Sequence, residues 1–255
     1  MKCKTLLSIL GLGLGYSLPA RAQDEMADTS PSPATPPTEE SAPANDEESS
    51  ASAGGKFVLG MRLGYAVPMG ATAENDNGSS EKLSDGVSGH VPVWLDVGYL
   101  VSSNVMFGFY GMYAFGGVAG PLKAECDQAS SVGISCSAND IRFGIQFQYH
   151  PASGGKVDPW LGVGAGYEWL NISISGAGQD GSTTAKGFEF FNLQAGLDYK
   201  ALPNVGVGPF VSFSLGQYGS TSNSGSVARI SSGGDIPNPA LHEWLTFGVR
   251  GAFTL

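Results

Sequence analysis

Residues 141–170, IRFGIQFQYHPASGGKVDPWLGVGAGYEWL, alternate with period two on both sides of a short turn. Ile141, Phe143, Ile145, Phe147 and Tyr149 share one face, and Arg142, Gly144, Gln146, Gln148 and His150 the other. After the turn Leu161, Val163, Ala165, Tyr167 and Trp169 oppose Gly162, Gly164, Gly166 and Glu168. Period two belongs to strands, not helices. The content of the faces constrains the fold further. One face is aromatic and aliphatic, the other glycine, amide and charge. In a soluble sheet the bulky face fills a core and the glycines meet water. Reversed, the bulky face meets lipid and the small or polar face fills a narrow lumen, which is the pattern of a transmembrane β-barrel with about ten residues per strand.

The same alternation recurs six more times. It predicts strands near 56–67 (Phe57, Leu59, Met61, Leu63 and Tyr65 outward, Arg62 inward), 90–101 (Val91, Val93, Leu95, Val97 and Tyr99 outward, Trp94 and Asp96 inward) and 104–115 (Phe107, Phe109, Tyr113 and Phe115 outward). Further strands fall near 187–199 (Phe191, Leu193, Ala195, Leu197 and Tyr199 outward), 205–216 (Val205, Val207, Val211, Phe213 and Leu215 outward) and 243–255 (Leu245, Phe247, Val249, Phe253 and Leu255 outward, Arg250 inward). Glu189 shares the lipid face by parity, which calls for a bulge near Phe190 or an exit from lipid there. Pro209 lies inside a strand, an unusual place for a residue without an N–H. The expectation is an all-β fold, an eight-stranded antiparallel transmembrane β-barrel.

The connections alternate long and short: 68–89, a turn at Ser102-Ser103, 116–139, 151–158, 171–186, 200–204 and 217–242. Short periplasmic turns and long extracellular loops give this rhythm, and it puts both barrel ends on the periplasmic side. Tyr99, Tyr149 and Tyr199 then form one aromatic girdle, and Tyr65, Tyr113, Tyr167 and Trp169 the other, at the two interfaces where amphipathic rings are best placed.

Ahead of the barrel (56–255), residues 1–22 read as a signal peptide. Lys2 and Lys4 precede an apolar stretch, and Ala20-Arg21-Ala22 is a small-x-small cleavage site. Residues 23–55 are rich in Pro, Ser and Ala, with eight acidic residues and no basic one. They are expected to be a disordered acidic linker. The formal charge of −10 and the lack of any Lys/Arg run exclude a nucleic-acid partner. With Cys3 in the cleaved segment, Cys126 and Cys136 remain, and in an exported chain the default is a disulfide.

The chain resembles the small eight-stranded outer-membrane barrels of the OmpA/OmpX type. The resemblance rests on the alternation, GYL at 98–100, PWLGVGAGYEWL at 159–170 and the amphipathic last strand, and it covers 56–255. Such barrels favour a terminal Phe, where this chain ends Phe253-Thr254-Leu255. The resemblance implies the bacterial outer membrane, with membrane lipid and the barrel-assembly machinery as partners. No peptidoglycan-binding domain is expected.

Arg62, Asp96, Arg142, Glu168, Asp198 and Arg250 carry both signs on lumen-facing positions. Eight strands leave room only for side chains, and buried charges must pair, so these six are read as an internal ion-pair network. His150 falls at the periplasmic end. His90 and His242 open their strands at the outer rim, one strand apart, with Glu243 or Asp85 nearby, and are read as hydrogen-bonding rim residues. GVGAG at 162–166 lacks the helix of a dinucleotide site, and Asn171-Ile172-Ser173 is a weak sequon. No catalytic residue, metal ligand or cofactor is assigned. The expected function is structural or surface-binding, in envelope integrity or adhesion through the outer loops. A lipid A-modifying enzyme and a narrow gated pore are the alternatives.

Overall fold

A computed structural model describes residues 55–75, 78–225 and 232–255. The expected signal peptide (1–22) and all but the last residue of the acidic segment (23–55) lie outside them. No helix among the described residues is long and apolar enough to cross a membrane.

The chain order is β1 (Lys56–Glu74), β2 (Ser80–Lys82), α1 (Leu83–Gly86), β3 (Val87–Ser102), β4 (Val105–Val118), α2 (Gly120–Ser130), β5 (Ser135–Tyr149), β6 (Val157–Gly176), β7 (Gln179–Leu202), β8 (Val205–Gly225), β9 (Ser232–Asp235) and β10 (Leu241–Thr254). Eight strands pair antiparallel in the order β1-β3-β4-β5-β6-β7-β8-β10, and β10 returns to β1. The closing seam runs unbroken from Val58↔Thr254 to Gly70↔His242. A closed sheet has no edge, so its backbone groups are satisfied within it, as hydrocarbon requires.

The outward residues of the alternation are exposed, among them Leu95, Phe109, Phe143, Leu161 and Val249. The inward set, including Arg62, Asp96, Gln146, Glu168 and Arg250, is almost fully buried. That inverted distribution is an eight-stranded transmembrane β-barrel. Outward residues change from apolar to polar at one level: Trp169 to Asn171 on β6, Phe188 to Lys186 on β7 and Leu215 to Gln217 on β8.

Glu189 turns inward because β7 carries a bulge. The pairing jumps from Glu189↔Gly216 to Phe191↔Leu215, leaving Phe190 unmatched. Glu189 and Asn192 then both enter the lumen while Phe188 and Phe190 face lipid. Pro209 faces outward on β8 opposite Val249 of β10. The ladder towards β7 skips from Gly196↔Phe210 to Tyr199↔Val207, so the missing N–H falls where β7 is not paired.

The long connections are more regular than the sequence suggests. β6 and β7 continue as one hairpin with its turn at Ala177-Gly178, and β8 runs to Gly225. About nine residues of β7 rise beyond the lipid band, roughly 20 Å at the usual strand rise and tilt. Cross-strand polar contacts hold this extension: Asn171 Nδ2 donates to Thr184 Oγ1 (2.8 Å), Thr183 Oγ1 to Asn223 Oδ1 (2.7 Å), and Ser182 meets Ser224 (2.8 Å). The Cys126–Cys136 disulfide fastens α2 to the outer end of β5, with Cα atoms 6.0 Å apart.

Deleting Phe190 removes the extra residue and leaves Phe188, Glu189, Phe191 and Asn192 in plain alternation, with Glu189 still inward. The heat-shiftable folded band is expected to survive on gels, whereas deleting Leu193 from the regular part of the strand puts Glu189 and Asn192 on the lipid face and is expected to abolish that band. Cys126→Ser with Cys136→Ser is expected to cost the loop roughly 2–3 kcal/mol by loop-closure entropy, seen as faster proteolysis around α2 with the barrel band unchanged.

Candidate functional site

Two sets of buried polar side chains fill the lumen, one above the other. Nearer the short turns, Arg62 from β1 grips Asp96 of β3 with two donors, Nε to Oδ2 at 2.7 Å and Nη2 to Oδ1 at 2.6 Å. Its remaining donors reach Gln194 Oε1 (2.7 Å) and Gln146 Oε1 (2.8 Å). The guanidinium lies 4.5 Å from the Trp94 ring centroid. Gln146 returns a bond from Nε2 to Asp96 Oδ1 (2.8 Å). Below, Arg250 stands over Trp160 at 4.3 Å and pairs with Asp198 at 3.4 Å, while Trp160 Nε1 donates to Asp198 Oδ1 at 3.3 Å. His150 meets Asp158 at 3.1 Å. Arg62 and Arg250 balance Asp96 and Asp198, and Asp158 also has Lys200 at 3.7 Å.

The set nearer the hairpins is built around Arg142 of β5. It reaches Asp140 (2.6 Å), Glu168 (3.3 Å) and Glu189 (3.5 Å), and Nη1 donates to Ser214 Oγ at 2.8 Å. Glu168 also accepts from the Tyr218 hydroxyl, from Trp244 Nε1 (3.2 Å) and from His242 Nε2 (3.1 Å). Glu189 accepts from the Tyr110 hydroxyl and from Asn192 Nδ2 (3.0 Å). One guanidinium faces three carboxylates here.

Inward glycines make room for the large side chains. A Cβ on Gly196 would sit 2.6 Å from the Trp160 ring, and one on Gly166 would sit 2.5 Å from the Tyr110 hydroxyl. An apolar cluster closes the hairpin end: Leu83 of α1, Val87, Ala138, Leu170, Tyr218 and Trp244, with Ile172, Ala185 and Ile236 against it.

All six lumen charges of the sequence reading lie inside. They divide among the pairs Arg62–Asp96, Arg142–Glu168 and Arg250–Asp198. Tyr99, Tyr149 and Tyr199 surround the turn end, and Tyr65, Tyr113, Tyr167 and Trp169 the hairpin end. The histidines differ from the reading. His90 and His242 are not at the rim but inside, essentially unexposed, because the wall continues past them. His242 meets Glu168 rather than Glu243, and His90 Nδ1 donates to the Ser88 carbonyl at 2.8 Å. Asp140 and Tyr218 were missed. Each lies just beyond an assumed strand end, in phase with the inward face, so carrying the alternation one step further finds both.

No profile of a protein family matches the chain, and no curated protein matches it. Among solved structures it is similar to the outer membrane protein OprG from Pseudomonas aeruginosa (TM-score 0.49, 13% identity, 79% of this chain and 96% of that one). It is also similar to a major outer membrane protein from Thermus thermophilus (TM-score 0.49, 10% identity, 78% and 98%) and to the outer membrane protein AlkL in DMPC bilayers (TM-score 0.46, 19% identity, 86% and 98%). Likeness at this level assigns no role.

Removing one partner of a buried pair leaves an uncompensated charge, a loss of about 3–5 kcal/mol. Arg62→Met and Asp96→Leu are each expected to lower the unfolding free energy of the bilayer-inserted barrel by that order, read as a lower urea midpoint. The double variant is expected to recover much of the loss, because no lone charge remains.

Proposed function

We propose that this chain is an outer-membrane protein with a structural or surface-binding role, exerted through the strand extensions on the outer side. The observation that carries the reading is the division of the barrel. The lumen is occupied by interlocked ion pairs and closed by the Leu83–Trp244 cluster, whereas the hairpins continue as an ordered polar sheet beyond the lipid band. A plugged lumen supports neither solute passage nor chemistry on lipid by the Glu168–His242 pair, since both side chains are enclosed. The short turns and both barrel termini share one end, which supports a periplasmic assignment for that end.

Planar-bilayer recording of the refolded protein tests the reading. A flat trace at all voltages is expected, and discrete conductance steps from the unmodified chain overturn it in favour of a gated pore. Lipid A mass spectra from deletion and overexpression strains are expected to coincide. A mass change that follows expression establishes the enzyme instead.

A further inference from the structure

At the hairpin end an open groove of about 730 Å³ runs between the β1–β2 hairpin and the start of β10. Its position follows from the register. β1 leaves β10 at Gly70, where φ is +72°, and bends over to pair with β2. Leu241 and Gln217 are opposite each other across the β8–β10 ladder. Both lie on the outward side, one step above the lipid-facing Leu215. The groove therefore opens at the boundary between the apolar exterior and water.

Its lining includes two opposite charges, Glu74 of β1 and Lys82 of β2. Neither makes a side-chain hydrogen bond or ion pair among the described residues, with each other or with a third group. Glu74 stands opposite Ser80, and Lys82 opposite Ala71, at the other end of the short ladder. This offset holds the carboxylate and the ammonium apart in one groove. Ser80, Ser84 and Gln217 add hydroxyl and amide groups. Gln217 Nε2 is engaged by the Pro239 carbonyl at 3.0 Å, which leaves its Oε1 as an acceptor.

We propose that this groove binds a zwitterionic headgroup, a phosphate ester bearing a primary ammonium, with the phosphate on Lys82 and the ammonium on Glu74. A simple anion meets an unfavourable field here. Glu74 is in the lining, Glu243 lies against Gly70, and Glu81 and Asp85 flank Lys82 in sequence. A simple cation leaves Lys82 without its counter-charge. A ligand carrying both charges satisfies both, and its acyl chains pass Glu243 to reach the apolar wall at Leu215, Leu245 and Phe247. The choice of a lipid headgroup rests on the membrane reading above; the pairing of charges does not.

The test uses the full mature chain refolded in octyl glucoside, which carries no phosphate, titrated with O-phosphoethanolamine and followed by amide NMR shifts. Saturable shifts at Lys82, Ser84 and Gln217 are expected. Inorganic phosphate and ethanolamine, each offering one charge, are expected to bind about tenfold more weakly or worse, the equivalent of one charge-assisted contact. Glu74→Gln and Lys82→Gln, both on exposed positions, are each expected to weaken binding by a similar factor, and the exchange Glu74→Lys with Lys82→Glu to restore part of it. Absence of saturable shifts, equal binding of phosphate alone, or indifference to both substitutions overturns the proposal. Native mass spectrometry from nanodiscs then separates the sources. Retained phosphatidylethanolamine identifies a phospholipid. Binding of the soluble probe without retention assigns the headgroup to a phosphoethanolamine-bearing glycolipid. A flat conductance trace beside failed binding leaves the plugged-barrel reading standing and removes only this site.

Discussion

Hydrocarbon offers no partner to a backbone N–H or C=O, and the rest of the structure follows from that. The seam between β1 and β10 is the consequence: thirteen consecutive residue pairs close the sheet on itself. The exceptions obey the same constraint. Pro209, which has no N–H to offer, stands where the β7 ladder is interrupted. The extra residue at Phe190 faces lipid with an apolar side chain, so the irregular backbone there costs no exposed charge.

Closure with eight strands leaves a lumen too narrow for a water column, so the interior is solid side chain. Charges enclosed there are tolerable only when paired and fully hydrogen-bonded. Arg62 illustrates the solution: its carboxylate, two amides and the Trp94 face occupy the guanidinium on all sides. Arg142, nearer the hairpins, meets three carboxylates and Ser214 through its two terminal nitrogens, while its Nε is buried without a partner. Such interlocked contacts join strands far apart in sequence, and they make the barrel a rigid support for what projects from it.

What projects is governed by different physics. Beyond the level of Lys186 and Gln217 water satisfies backbone groups, and the sheet opens into hairpins. Their order comes from polar cross-strand contacts such as Asn171–Thr184 and Thr183–Asn223, from the cystine at α2 and from Leu83 and Ile236 packing down onto the lumen cluster. Short elements over the mouth thus seal the interior while leaving clefts at the rim, where charged groups such as Glu74 and Lys82 keep their freedom to meet a ligand.

The sequence by itself determined the barrel, leaving only a bulge or an exit from lipid open at Glu189: strand number, the face of each strand that meets lipid and the identity of the principal lumen charges. Period-two alternation encodes these locally, because each side chain's face depends only on its parity along its own strand. Which charges pair was decided by tertiary structure. Arg62 and Gln194 are 132 residues apart and touch only because closure brings β1 and β7 across one lumen. The burial of His90 and His242, the three carboxylates gathered on Arg142 and the groove beside Gly70 are of the same kind. They depend on how far each strand continues past the lipid band, and beyond that band the sequence loses the hydrophobic alternation that marks a strand. There, pairing is fixed by hydroxyl and amide contacts between strands, which leave no period in the sequence to read.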